Sequence, residues 1–227
     1  MSTTRQVVLL IGSPRGGHST SAQLGEFLLA RLRAQGWTAS TFVARKVIGN
    51  AAAWSEMERA LATADLLIVA TPLYVDSLPA PLIETFERLH KLRHATPPAK
   101  LQRMVALLNC GFPEASQNAT ALAICRCFAQ RTGFRWDGGL ALGMGGMLSG
   151  QPIAERSRTH KVAVALQRAA ADLLAGGPVS AEAISALAQP LMPVWLYRLI
   201  AEVSFRIFAW RRGVYRLGAQ PYARDND

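Results

Sequence analysis

The chain has 227 residues, half of them hydrophobic, with 25 Lys and Arg against 15 Asp and Glu for a formal net charge of +10. That length suits one α/β domain with a full core plus an appendage, and the composition excludes a disordered chain. The basic balance favours anionic partners, but nucleic acid is set aside, because the chain has no Lys/Arg run, zinc-ligand spacing or aromatic RNA-binding signature.

The N-terminal residues lack the basic segment, apolar core and cleavage site of a secretory leader, and there are three cysteines, Cys110, Cys125 and Cys127. The expectation is therefore a cytoplasmic protein without a disulfide framework. Cys125 and Cys127, two apart on a predicted helix, point to different faces, which is poor geometry for a metal. No metal site is expected. Both read as small core residues, with Cys110 the one placed near a candidate site.

Residues 7–11, all Val, Leu or Ile, have the length and composition of a strand buried on both faces, the habit of parallel sheets. The loop that follows is suited to an anion. Gly12, Gly16 and Gly17 let backbone approach a ligand, Ser13, Ser19, Thr20 and Ser21 carry hydroxyls, and Arg15 adds a fixed positive charge. Ser19 or Ser21 can cap a helix beginning near residue 22, whose amino end faces the same space. The same residues also fit a polar turn with a good cap and no ligand. Neither the Gly-x-x-x-x-Gly-Lys-Ser/Thr run nor Gly-x-Gly-x-x-Gly occurs, so a terminal monophosphate such as that of FMN suits the loop better than Mg-ATP or a dinucleotide.

Apolar spacing predicts a helix over 24–32 ended by Gly36, a strand over 37–43 and a helix over 51–63. A third strand, 65–70, is entered from Asp65 and runs into a Pro-punctuated loop, 71–81, that opens a helix over 82–93. Thr96, Pro97 and Pro98 break that helix. The fourth strand, 104–108, delivers Asn109, Cys110, Gly111, Phe112, Pro113 and Glu114 to the edge reached by the first and third strands. A helix over 117–131, a strand over 136–142, a glycine-rich exit at 143–147 and a helix over 155–174 follow, closing at Gly176, Gly177 and Pro178. Five strands alternating with helices indicate α/β architecture, a doubly wound parallel sheet with right-handed crossovers. Ligands of such sheets sit at the carboxyl ends of the strands, where the loops after strands one, three and four gather.

The main domain is expected over 1–178 and a C-terminal helical extension over 179–227. The extension carries a short helix over 181–188 and an apolar segment over 194–210, whose Arg198, Glu202 and Arg206 form one charged stripe. Charges this regular argue against a membrane span. The expected role is a dimer arm or a helix packed on its own domain. Trp195, Trp210, Arg211, Arg212 and Arg216 support peripheral membrane contact as the alternative.

The arrangement resembles the flavodoxin-like NAD(P)H-dependent FMN reductases and quinone reductases. The resemblance spans about residues 5–175 and rests on Gly12-Ser13-Pro14-Arg15 with Ser19 and Ser21, on Thr71-Pro72-Leu73-Tyr74 with Ser77 and Pro79, and on the turn 109–112. The tail is similar as well, at Trp210-Arg211-Arg212-Gly213 and Pro221-Tyr222. It implies a flavodoxin-like five-stranded sheet, FMN as cofactor and NADH or NADPH as co-substrate. Ser13, Pro14, Arg15, Ser19, Thr20 and Ser21 would surround the phosphate, Pro72, Leu73, Tyr74 and Val75 would lie along the isoalloxazine, and Asn109, Cys110, Gly111 and Phe112 would close the other side. Hydride transfer needs no protein acid or base, so no catalytic residue is named and Asp76 has no assigned role. The absence of cysteine between 71 and 109 excludes the iron-sulfur branch. The expected activity passes electrons to a small acceptor, a quinone, flavin, nitro or azo compound, in a homodimer. A flavodoxin-type electron carrier and a flavin-free binding module are the alternatives.

Overall fold

The computed structural model describes residues 4–148, 153–154 and 159–218. Five parallel strands run β1 Gln6–Ile11, β2 Thr38–Val43, β3 Leu66–Pro72, β4 Gln102–Asn109 and β5 Phe134–Leu142. Their order across the sheet is β2-β1-β3-β4-β5. The helices are α1 Thr20–Arg33, α2 Ala44–Ile48, α3 Ala51–Thr63, α4 Ala80–Ala95, α5 Ala119–Arg131, α6 His160–Leu174, α7 Ala181–Ala188 and α8 Val194–Arg211. This is the flavodoxin-like doubly wound sheet, and the strand runs are apolar throughout because both faces are covered. Val7, Leu9, Ile11, Ile68, Val105 and Leu107 face α1, α6 and α7. Their neighbours Val8, Leu10, Leu67, Val69, Ala106 and Leu108 face α2 to α5. Gly25 lets α1 close on the sheet, since a Cβ there would lie 2.7 Å from Leu9 Cδ1 and 3.0 Å from Ala70 Cβ.

Most element positions agree with the sequence reading, and the differences have local causes. Helix α2 was not anticipated, because five residues with two buried positions carry too little periodicity to register. The approach to α5 is a 3-10 turn at Ala115–Asn118. The helix expected over 155–174 is described from His160, and residues 155–158 lie outside the described part, as do Pro221 and Tyr222. Cys125 is buried, but Cys127 is exposed and is not a core residue. The compact unit extends to Leu191, beyond the boundary expected at 178. Val179, Ala183 and Leu187 belong to its core, and the Val179 amide donates to Asp137 O at 2.7 Å. The second unit starts at Met192 and is α8 with its short tail, carrying an Arg206–Glu202 pair at 2.7 Å one helical turn apart. Among the described residues no helix is long and apolar enough to cross a membrane.

At the amino edge of the sheet, cationic and amide side chains cover the carbonyls left over at helix carboxyl ends. Arg103 donates to Leu173 O at 2.8 Å and to Gly177 O, both at the end of α6, while Arg135 donates to Gly176 O at 2.8 Å. Gln102, buried, donates to Leu61 O and Ala64 O at the end of α3. Asp137 completes the group. Its carboxylate is 1% exposed and accepts from both Arg103 and Arg135. Removing it as Asp137→Ala leaves Arg103 charged in a nearly enclosed site, and the expected loss is about 3 kcal/mol of unfolding free energy, measured by urea denaturation.

Asp65 enters β3 beside Lys100 (2.6 Å) and the Gln6 amide (2.7 Å). Burial alone pushes its carboxyl up, but the Lys100 bond, the Gln6 amide and nearby Arg5 together hold it below the ordinary 3.8. A depressed carboxyl stabilises the fold above its unfolded pKa, and that contribution is lost as pH falls through the folded value. Asp65→Asn is therefore expected to cost up to about 1 kcal/mol at neutral pH, given the exposure of the pair, with the difference starting to shrink below about pH 4 and vanishing once the pH is below the folded value, read from urea denaturation across that range.

Candidate functional site

The anion-ready corner is built as a cap. After β1 the chain turns through Gly16, whose amide donates to Ser13 O at 2.9 Å and whose φ is +61°, and reaches Ser19. Ser19 caps α1: its Oγ accepts from the Ala22 amide at 3.1 Å and donates to Gly16 O at 2.7 Å. The amides of Thr20 and Ser21, the first two residues of the helix, have no intrahelical acceptor and lie at its positive end. Arg15 is exposed, Pro14 is partly buried, and Ser13 is buried with its Oγ accepting from the Arg15 amide at 3.3 Å.

The other hydroxyls of this loop are committed to protein acceptors. Ser21 Oγ donates to Asn109 Oδ1 at 2.6 Å, and Thr20 Oγ1 donates to Gly145 O at 3.1 Å. The loop after β1 is thereby fastened to the ends of β4 and β5. Asn109 also pairs with Pro72 and with Leu142 across the sheet, and its carbonyl accepts from the Leu73 amide at 2.9 Å. Beyond it, the Gly145 amide donates to Cys110 O at 2.8 Å and the Met144 amide to Phe112 O at 2.7 Å. Four loops thus form one continuous rim along the carboxyl edge.

The loop after β3 makes a two-residue turn. Tyr74 and Ser77 exchange amide-to-carbonyl hydrogen bonds at 2.9 Å in both directions, with Val75 at φ +47° and Asp76 at φ +57° between them. Both central residues lie in the left-handed region, which is costly for a β-branched side chain. Val75 is 98% exposed, Tyr74 44% and Phe112 51%, so apolar groups face outward at this rim. Leu73 is partly buried and Gly111 exposed. Cys110 turns inward: its Sγ accepts from Asn118 Nδ2 at 3.3 Å, and burial pushes its thiol up, keeping it protonated. It holds the turn 109–112 from behind.

The fold gathers all fourteen residues singled out from the sequence into these loops, with Asn109 at their junction. The loop after β5 was not included in that set, although it supplies acceptors to Thr20 and donors to the turn after β4. Its signal was the run Gly143-Met144-Gly145-Gly146. Close approach explains two of its glycines: a Cβ on Gly143 would collide with Pro113 O, and one on Gly145 would stand 2.8 Å from Asn109 Nδ2. Among the described residues no group of three His, Cys, Asp or Glu side chains is placed to hold a metal ion.

The donors fit a flavin mononucleotide. The Arg15 guanidinium, the Ser13 hydroxyl and two free-ended amides at a helix start match a dianionic phosphate, and the Leu73, Tyr74 and Phe112 side chains with exposed Gly111 match a flat apolar ring.

No curated protein sequence matches the chain. Solved structures share the fold at low identity. An NADH:FMN oxidoreductase in its apo form is 22% identical, with 84% of this chain and 97% of that one covered at a TM-score of 0.54. The NAD(P)H:quinone oxidoreductase of Methanothermobacter marburgensis is 16% identical, covering 75% and 96% at 0.55. An FMN-dependent NADH-azoreductase of Bacillus anthracis, solved with FMN, is 12% identical, covering 75% and 99% at 0.53. Residues 5–124, more than half of the sequence, match the model of the NADPH-dependent FMN reductase family. The chain belongs to that family, with FMN as its cofactor and a reduced nicotinamide nucleotide as electron donor.

Proposed function

We propose that this protein takes hydride from NADH or NADPH onto bound FMN and passes electrons to a small acceptor such as a quinone, flavin, nitro or azo compound. The observation that carries this reading is the continuous rim of four loops, with a positively charged capped helix start at one end and outward apolar groups at the other. FMN supplies the redox chemistry when bound. The protein's part is to hold and to expose. In this reading Arg15, Ser13 and the Thr20 and Ser21 amides hold the phosphate. Ser19, Thr20 and Ser21 use their hydroxyls to shape the loop and tie it to Asn109 and Gly145, while Pro14 keeps the backbone away from hydrogen bonding. Pro72, Leu73, Tyr74 and Val75 line one side of the ring and Asn109, Cys110, Gly111 and Phe112 frame the other. No side-chain acid or base is required for hydride delivery, and none is assigned.

The purified protein should be yellow or become so with added FMN, and should oxidise NADH or NADPH with menadione as acceptor. A colourless protein that binds no FMN would overturn the reading, and a flavin-loaded protein inert to both nucleotides would point to an electron carrier instead. Arg15→Glu should weaken FMN by about 3 kcal/mol in a fluorescence-quenching titration while leaving riboflavin nearly unchanged, because only the phosphate meets the reversed charge. Ser21→Ala leaves Asn109 Oδ1 buried without its donor and loosens both ends of the site. It should weaken FMN and riboflavin alike, by about 1–2 kcal/mol.

A further inference from the structure

The amino edge of the sheet, opposite the candidate site, holds a cavity of about 440 Å3, within the size range of small-molecule sites. The last turns of α3 and α4, the connection 96–99 and the first residues of β4 and β5 line it. Leu61, Leu89, Leu92 and Phe134 make its walls apolar. Pro97 and Pro98 on the rim have no amide hydrogen, so that side offers few backbone donors.

The polar end is Arg93. Its Nε donates to Thr132 O at 2.6 Å and its Nη1 to Gln102 Oε1 at 2.5 Å, while the guanidinium lies 3.8 Å from the centre of the Phe134 ring. Nη2 is enclosed and has no hydrogen-bond partner. Burial with no compensating carboxylate pushes the Arg93 pKa down to about 10. Glu58, the one acidic residue of the lining, accepts from the Trp54 indole, and Arg59 adds a second cation. The two cations Arg93 and Arg59 outnumber the one carboxylate of the lining, Glu58, so the cavity is apolar with an excess positive charge that a bound anion would balance.

We propose that this cavity binds a small carboxylate with an apolar ring or short chain, its body against the leucines and Phe134 and its charge beside Arg93 and Arg59. A neutral ring leaves the excess positive charge unbalanced, and an anion without an apolar body leaves the leucines wet. The site is separate from the flavin rim and stands whether or not the proposed electron acceptor is right.

The test uses the full-length, FMN-loaded protein with 2-naphthoate as fluorescent probe and 2-naphthalenemethanol as its neutral counterpart. One naphthoate per chain is expected, with the alcohol at least about tenfold weaker for want of charge-assisted hydrogen bonds. Ala62→Trp, which fills the cavity from an exposed position on α3, should abolish saturable naphthoate binding and leave FMN content and NAD(P)H oxidation unchanged. No naphthoate binding at millimolar concentration, equal binding of the alcohol, or naphthoate binding undiminished in Ala62→Trp would each overturn the proposal.

Discussion

Asn109 ends β4 where three other loops meet it. Its side-chain oxygen accepts from Ser21 at 2.6 Å, its carbonyl accepts from Leu73, and the next residue joins β5 through the Cys110 amide and Leu142 O. One residue therefore links the start of α1 to the loops that follow β3 and β5. Because both partners of the Ser21–Asn109 bond are buried, water does not compete for it, and the spacing between the two ends of the site is held by a short, enclosed hydrogen bond.

The parallel sheet separates two kinds of electrostatic work. Helices start at its carboxyl edge and present amides and positive dipole ends, which Ser19 partly caps and Arg15 reinforces. Helices finish at its amino edge and present carbonyls. There Arg93, Arg103, Arg135 and Gln102 donate to the ends of α5, α6 and α3. The net charge of +10 suggested anionic partners, yet several of these arginines are spent inside the fold. Asp137 balances Arg103 and Arg135, and Arg93 stays without a carboxylate.

Local strain collects where the ligand is expected. Val75 and Asp76 hold left-handed backbone between two hydrogen bonds from Tyr74 and Ser77, at the tip of the loop that follows β3. A turn of this kind costs free energy that the core elsewhere offsets, and it places apolar surface outward instead of folding it in. The inward Cys110 shows the opposite choice on the neighbouring loop: a small, protonated thiol used as packing and as a hydrogen-bond acceptor.

The sequence by itself determined the strand runs, their burial on both faces, the edge at which the loops meet and the fourteen residues that line it. Composition, periodicity and Gly or Pro punctuation are local properties, and buried parallel strands express them strongly. Tertiary structure decided which hydroxyls remain for a ligand. Nothing in Ser19-Thr20-Ser21 distinguishes a phosphate donor from a helix cap, a brace to Gly145 or a brace to Asn109, because those partners lie as much as 125 residues away. The same holds for the loop after β5, for the exposed Cys127 and for the cavity beside Arg93. Each depends on which elements come together in space, and side-chain chemistry alone carries no record of that.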